Sequence, residues 1–410
     1  MSTAGNSSPK VAIIGAGLTG LLTAHGLKKA GFEVALFDQE AGLDARPRDW
    51  PMVLHWALPT FQNLVSEKTW ETFPQAVCNP YLEYTPEVES MPCINGKTGE
   101  VLFRSSMPGS RRVTRRRLRG VLATEFDDGT IHWGKKLETI DPGVGDGPVR
   151  LGFADGTTFD ADYVLGTDGA SSKVRELLFK GAEVARVQPS GFMFATAIVK
   201  HGDAAKVKAV VDTHPVATVM MGTKSVGGVS IFHVEDPDDL STWTVTWIKI
   251  WRRGNFPEPP AKSGSEAIKY IKETTQDLAE PYQSQINWTP ENDTSKATLF
   301  IDEMRTWVPV PWETHSGRIT LAGDAAHPML VYRGQGFQHA VVDAEKYVKA
   351  LVSIRDEGAN REEAIKAYSD DVIERGSKAV TQSLREADLS MDLESVGKMM
   401  MAKQGHARST

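Results

Sequence analysis

Val11-Ala12-Ile13-Ile14-Gly15-Ala16-Gly17-Leu18-Thr19-Gly20 decides how this chain is read. The apolar run Val11–Ile14 ends in glycines, which predicts a fully buried parallel strand. Beyond it Leu21, Leu22, Ala24 and Leu27 recur at helical spacing until Gly31 stops the pattern. Val34 to Phe37 then reads as a second strand and completes a βαβ opening. Gly15, Gly17 and Gly20 occupy the turn between strand and helix. Glycines there permit a tight turn and let the backbone approach a pyrophosphate, to which the helix N-terminus offers amide donors. A carboxylate is expected roughly 20 residues on, to grip a ribose hydroxyl, and Asp38 stands there. A glycine turn used only for close packing is the competing reading. Strand, helix, second strand and acid together favour dinucleotide binding.

Two later stretches have related chemistry. Gly166-Thr167-Asp168-Gly169-Ala170-Ser171 follows a predicted strand at Tyr163–Leu165, with Arg175 beyond it. Taken alone it reads at least as well as a turn that caps a helix, since Asp and Ser are good N-caps. Gly323-Asp324-Ala325-Ala326-His327-Pro328 follows a predicted strand at Ile319–Ala322, and Gly334-Gln335-Gly336 then opens a helix running to about Leu351. An aspartate at a strand end can accept from a polyol hydroxyl, and amides at a glycine-rich helix start can face an anion. A plain strand–turn–helix joint remains the alternative.

Elsewhere the patterning is coarser. Residues 1–9 read as a disordered tail, and 46–110 as irregular apart from a helix at Leu58–Leu64. A helix is predicted from Val113 to Glu125, with its arginines mostly a solvated face, and strands at Leu137–Ile140 and Val149–Phe153. Asp155-Gly156 marks a hairpin. Residues 181–297 are β-rich, with strands predicted at Phe192–Val199, Val216–Met221, Val229–Val234 and Trp243–Trp251 and a helix near Ala267–Leu278. In the last strand Trp243, Val245, Trp247, Lys249 and Trp251 share one face, and Thr244, Thr246, Ile248 and Ile250 the other. The tail after Arg361 reads as helical.

Composition excludes several classes. The chain has 410 residues and a formal net charge of -7, which argues against binding a nucleic-acid backbone. Two cysteines, Cys78 and Cys93, make neither a metal set nor a disulfide framework and suit a reducing cytoplasm. The polar opening lacks the layout of a signal peptide. No stretch reaches the ~18 apolar residues of a membrane span; Met399–Met401 is too short to anchor anything.

The three signatures, in this order over roughly residues 10–350, resemble the class A flavin monooxygenases, the para-hydroxybenzoate hydroxylase-like family, and more softly its fungal secondary-metabolism members. The resemblance implies an α/β fold: a Rossmann-like FAD-binding domain from 10–85, 111–180 and 298–355, an inserted β-rich substrate domain at 181–297 with 86–110 as its strands or a loop, and C-terminal helices at 356–410. It implies that Gly15, Gly17, Gly20 and Asp38 hold the ADP half of FAD, that Arg115 contacts the cofactor, and that Asp168 and Gly169 lie near the pyrophosphate. Asp324, after Gly323, would bind the ribityl chain, and amides of the turn from Gly334 through Gly336 would face the flavin ring. Val331 stands where the family has Pro, Gln338 where it has Asn, and Asp38 where Glu is usual.

The activity so implied is oxygen transfer from O2 to an electron-rich aromatic, polyketide or indole-type compound, with NAD(P)H, NADPH favoured, as transient donor. Hydroxylation, epoxidation and Baeyer–Villiger insertion all fit. A dehydrogenase or oxidase on the same fold, or a binder that has lost the flavin, is the alternative. His55 and Tyr332 are the best pocket candidates, because matching regions of the family border the flavin. Trp56, His233 and Trp247 are weaker ones, for which core packing or solvation is preferred. His327 is expected to be structural or hydrogen-bonding rather than a base, and no metal is required.

Overall fold

Strands Lys10–Ile14, Glu33–Phe37, Ile131–His132, Tyr163–Gly166 and Ile319–Leu321 pair only in parallel. Their order across the sheet is Ile319–Leu321, Tyr163–Gly166, Lys10–Ile14, Glu33–Phe37, Ile131–His132. All three signatures therefore leave adjacent strands at the same edge, where ligands of open α/β sheets bind. This is a computed structural model, and it describes residues 8–45, 48–126, 129–143 and 147–406. Most of the predicted tail at 1–9 lies outside the described residues.

Helix Leu18–Lys29 packs on helix Gln335–Asp356, which in turn packs on helix Arg361–Ser390. Leu21, Leu22, Ala24 and Leu27 are all fully buried in the core beneath the parallel sheet, as their spacing requires. None of the described helices is long and apolar enough to cross a membrane.

The inserted β-rich region centres on a seven-stranded sheet in the order Ala297–Thr306, Gln188–Lys200, Thr244–Arg252, Ser225–His233, Ala217–Met221, Ser90–Asn95, Val101–Ser106. The alternation read in the Trp243–Trp251 stretch separates two environments. Val245, Trp247 and Trp251 enter a core shared with helices Gly264–Glu273 and Tyr282–Asn287. Thr246, Ile248 and Ile250 face a cavity on the other side. The fold is thus a Rossmann-like FAD-binding architecture with an inserted β-rich region and C-terminal helices.

Three expectations need correcting. Residues 46–110 are not irregular: they supply strands Pro51–Leu54, Ser90–Asn95 and Val101–Ser106 and a second short helix, Glu67–Thr72. Arg111–Thr114 is a strand paired with Pro51–Leu54, and the helix begins only at Arg115 because Thr114 caps it, accepting from the Arg117 amide. The predicted Ala267–Leu278 helix runs instead from Gly264 to Glu273.

Candidate active site

The glycines of the first turn have different duties. Gly15 sits at φ +108°, and a Cβ on it would lie 2.5 Å from the Thr167 carbonyl oxygen. A Cβ on Gly20 would lie 2.0 Å from the Gly15 carbonyl oxygen. Both are demanded by the protein itself. Gly17 has nothing within 4 Å of its would-be Cβ and lines the cavity, so its openness serves something other than packing. Helix Leu18–Lys29 has no side-chain cap, which leaves first-turn amides and the positive end of the helix dipole for a ligand.

Asp38 ends the second strand as expected. Its carboxylate accepts from the Ala16 amide at 2.9 Å, the Glu40 amide at 2.9 Å and Arg119 Nη2 at 3.3 Å. Arg119 also donates to the Ala16 carbonyl and to Glu40 and is buried. The arginine run is therefore not a solvated face. Arg117 donates to the Val77 and Phe232 carbonyls, and Arg112 and Arg115 line the cavity. A charge count along a helix does not reveal that one side of it abuts the glycine turn.

The second signature takes the capping geometry. Asp168 accepts from Ser172 Oγ and from the amides of Lys173 at 2.6 Å and Val174 at 3.1 Å, at the start of helix Lys173–Leu178. Burial raises its pKa, and those hydrogen bonds offset the rise only in part. Arg175 is spent on the carbonyls of Ala185, Ala325 and Ala170. Gly169, at φ +81°, lines the cavity directly.

The third signature is held differently. Gly323, at φ +60°, brings this turn against the first helix: its would-be Cβ lies 2.4 Å from Thr19 Oγ1. Asp343 fixes the turn from inside, accepting from the Gly323 amide at 2.8 Å, with His327 Nε2 at 2.7 Å and Arg375 Nη2 at 2.7 Å. His327 is fully buried and hydrogen-bonded to Asp343. His327 and Arg375 hold the Asp343 carboxyl well below the usual carboxylate range, against the upward push of burial. Asp324 is the exception: it projects into the cavity, and its carboxylate has no hydrogen-bond partner among the described residues. Its side chain is exposed to the cavity, yet desolvation by the surrounding protein raises its pKa, which His327, Arg115 and Arg175 partly offset.

Arg333 at φ +60° and Gly334 at φ +57° turn the chain sharply into helix Gln335–Asp356, which also lacks a side-chain cap. Gly334, Gly336 and Phe337 line the cavity. Gln338 is a tie between segments: it accepts from the His55 and Ala57 amides and donates to the Val53 carbonyl at 2.6 Å. Val331 is half exposed on the cavity wall.

One cavity of about 580 Å³ runs from Gly17 and Gly169 past Asp324 and the Gly334 turn to the inner face of the seven-stranded sheet. Arg115 lies over the Trp50 ring at 5.0 Å, both on its wall. Tyr332 is on the wall too, though its hydroxyl is turned to Ser390, which donates to it at 3.2 Å. His55 is buried just behind the wall, its ring 5.4 Å from that of His406. Burial pushes the His55 imidazole down to about 4 and the His406 imidazole, which does line the cavity, to about 3. Trp56, His233 and Trp247 are not on the wall: Trp56 donates to Gln335, His233 contacts Arg117, and Trp247 is core. Sequence reading missed Trp50, Arg112 and His406. His406 returns from the far C-terminus to bond Ser105, and no local signal announces that.

Fold and site together define an FAD-binding oxidoreductase architecture, and comparison with known proteins narrows it. Residues 123–383 match the FAD binding domain family, and residues 13–71 match the NAD(P)-binding Rossmann-like domain. The FAD-dependent monooxygenase phnB of Penicillium herquei is 30% identical over 96% of this chain and 94% of its own length. The FAD-dependent monooxygenase cctM of Talaromyces islandicus is 31% identical over 92% of each chain. Among solved structures, HpxO of Klebsiella pneumoniae, complexed with FAD and uric acid, superposes with a TM-score of 0.74 over 98% of this chain and 93% of that one, at 16% identity, a likeness of fold. The chain belongs to the FAD-dependent monooxygenase family.

Proposed function

We propose that this protein uses FAD, NADPH and O2 to place one oxygen atom on an electron-rich aromatic, polyketide or indole-type natural product. The observation that carries the reading is the continuity of the cavity. Two helix starts without side-chain caps and the unpartnered Asp324 carboxylate open onto the same space as the apolar inner face of the large sheet. Those features fit FAD: an open Gly17 for the pyrophosphate, an acceptor for polyol hydroxyls, and donors at a helix start for the ring.

In this assignment Gly15 and Gly20 shape the turn, Gly17 and Gly169 let the backbone approach the pyrophosphate, and Asp38 takes a ribose hydroxyl. Asp168 acts through the position of Gly169. Gly323 and Asp324 hold the ribityl chain, Arg115 lies against the cofactor, and Gly334 and Gly336 present amides to the ring. Bound FAD supplies the redox chemistry that couples NADPH and O2. The chain orients the substrate, excludes water and stabilises negative charge beside the Gln335–Asp356 helix start. Residues 181–297 with 86–110 form the substrate domain, extended by the strand Ala297–Thr306, which was expected in the FAD-binding part but pairs with Gln188–Lys200 in the same sheet. The balance is one oxygen atom to substrate and one to water, with two electrons from NADPH. Two relatives named as FAD-dependent monooxygenases, from Penicillium herquei and Talaromyces islandicus, support the monooxygenase class; natural-product tailoring by a cytoplasmic enzyme is our own extension of that reading.

The test is NADPH consumption by the purified protein with a panel of polycyclic phenols and indoles under isotopically labelled O2. Stimulated consumption with label in the product is expected. Flavin reduction followed by reoxidation, with no label in any product across the panel, would assign an oxidase instead.

A further inference from the structure

Arg112 lies on the Arg111–Thr114 strand, paired across to Val53, and its guanidinium is enclosed at the cavity wall. Its neighbours in the arginine run are satisfied: Arg119 has Asp38 and Glu40, and Arg117 has two carbonyls. Arg112 donates from Nη2 to Ser230 Oγ at 2.9 Å, while its Nε is buried with no partner among the described residues. No described carboxylate pairs with it. The ionisable groups near it are the Cys78 thiol, which burial pushes up to about 11, the Tyr84 phenol, also pushed up by burial, and His406. None of them supplies a negative charge at neutral pH.

A guanidinium does not give up its proton in a protein, and a buried charge without a counter-charge is costly. The protein keeps this one against Ser230 of the large sheet, on the wall of the cavity whose sheet side also carries Ile248 and Ile250. The geometry points to Arg112 as the anchor for an anionic oxygen on the aromatic substrate, a phenolate or a carboxylate, with the Ser230 hydroxyl beside it. This rests on the reading of the cavity as the place of oxygen transfer. Arg112 is then a specificity residue: it selects rings that carry an ionised oxygen, and it holds that oxygen fixed relative to the Gly334 turn. A bidentate fork, which Arg can make and Lys cannot, suits either anion.

The experiment uses full-length protein loaded with FAD. Naphthol, its methyl ether and naphthoate are titrated as probes from acid to alkaline pH, and binding is read from perturbation of the flavin absorbance. Wild type is expected to bind at least one anion-forming probe on the order of tenfold tighter than the ether. Arg112→Gln should abolish that contrast, and Arg112→Lys should retain part of it. Preference for naphthol that grows with pH names phenolate, and preference for naphthoate names carboxylate. The proposal is overturned if wild type binds the ether as tightly as both others, binds none of them, or if R112Q keeps the contrast. It is also overturned if R112Q weakens FAD binding while the contrast survives, since the guanidinium then belongs to the flavin. Should R112Q fail to fold, the wild-type contrast and Arg112→Lys decide. Flavin content, measured before any probe is added, tells failure of this proposal from failure of the cofactor assignment.

Discussion

Asp168 and Asp324 both follow a strand of the parallel sheet and both stand beside glycine, yet they have opposite surroundings. Asp168 is saturated by Ser172 and two backbone amides at the start of a six-residue helix. Asp324 stands in a turn pinned from behind by Asp343, and faces the cavity with no partner among the described residues. A carboxylate that the protein satisfies contributes to stability, whereas one left exposed to a cavity without a described partner is free to accept from a ligand. The same contrast separates Gly15, whose missing Cβ the fold requires, from Gly17, whose missing Cβ it does not.

Four substitutions test this division, from the largest expected effect to the smallest. Asp343→Ala leaves His327 and Arg375 without their shared partner and should cost about 3–5 kcal/mol in denaturant unfolding. Because the folded pKa of Asp343 is depressed, its contribution is fully present above the unfolded value of about 4 and is lost as pH falls through the folded one. The acid limb of a stability–pH curve should therefore flatten in the variant; an unchanged limb would show that the triad does not hold the turn. Asp324→Ala should weaken FAD binding by ~1.5–3 kcal/mol, about ten- to a hundredfold by calorimetry, while the unfolding midpoint of the FAD-free protein holds or rises.

Gly17→Ala meets no protein atom, so its stability should stay within about 0.5 kcal/mol while FAD affinity falls roughly tenfold; equal loss of both would make Gly17 another packing glycine. Asp168→Ala should give the reverse of Asp324→Ala, a stability loss of about 1 kcal/mol from the missing cap with a smaller change in FAD affinity. If the two aspartate variants behave alike, the comparison fails.

Much of this was legible in the sequence, because the glycine turns and their strands are local. Val11–Ile14, the helical leucines and Asp38 lie within one βαβ unit, and the spacing alone places them. The alternation of Thr246, Ile248 and Ile250 against Trp247 and Trp251 separated cavity from core, though only the fold shows which face is which. The helix predicted from Val113 ran two residues too far back because the arginine-rich run suits a helix throughout, while Thr114 as a cap was the available signal. Contacts across long sequence distances were not legible. Gln338 bonding Val53, Arg119 bonding Asp38 and His406 bonding Ser105 depend on how distant segments meet. Whether Asp168 served the helix or a ligand stayed open for the same reason: both uses share one local sequence.

The most direct test is the ratio of flavin to protein in purified wild type and Asp324→Ala, prepared side by side with excess FAD removed. Close to one FAD per wild-type chain, largely lost from a folded Asp324→Ala, is the predicted result. A wild type that takes up no FAD, or a variant that retains it as fully as wild type, would contradict the assignment of this cavity to the cofactor.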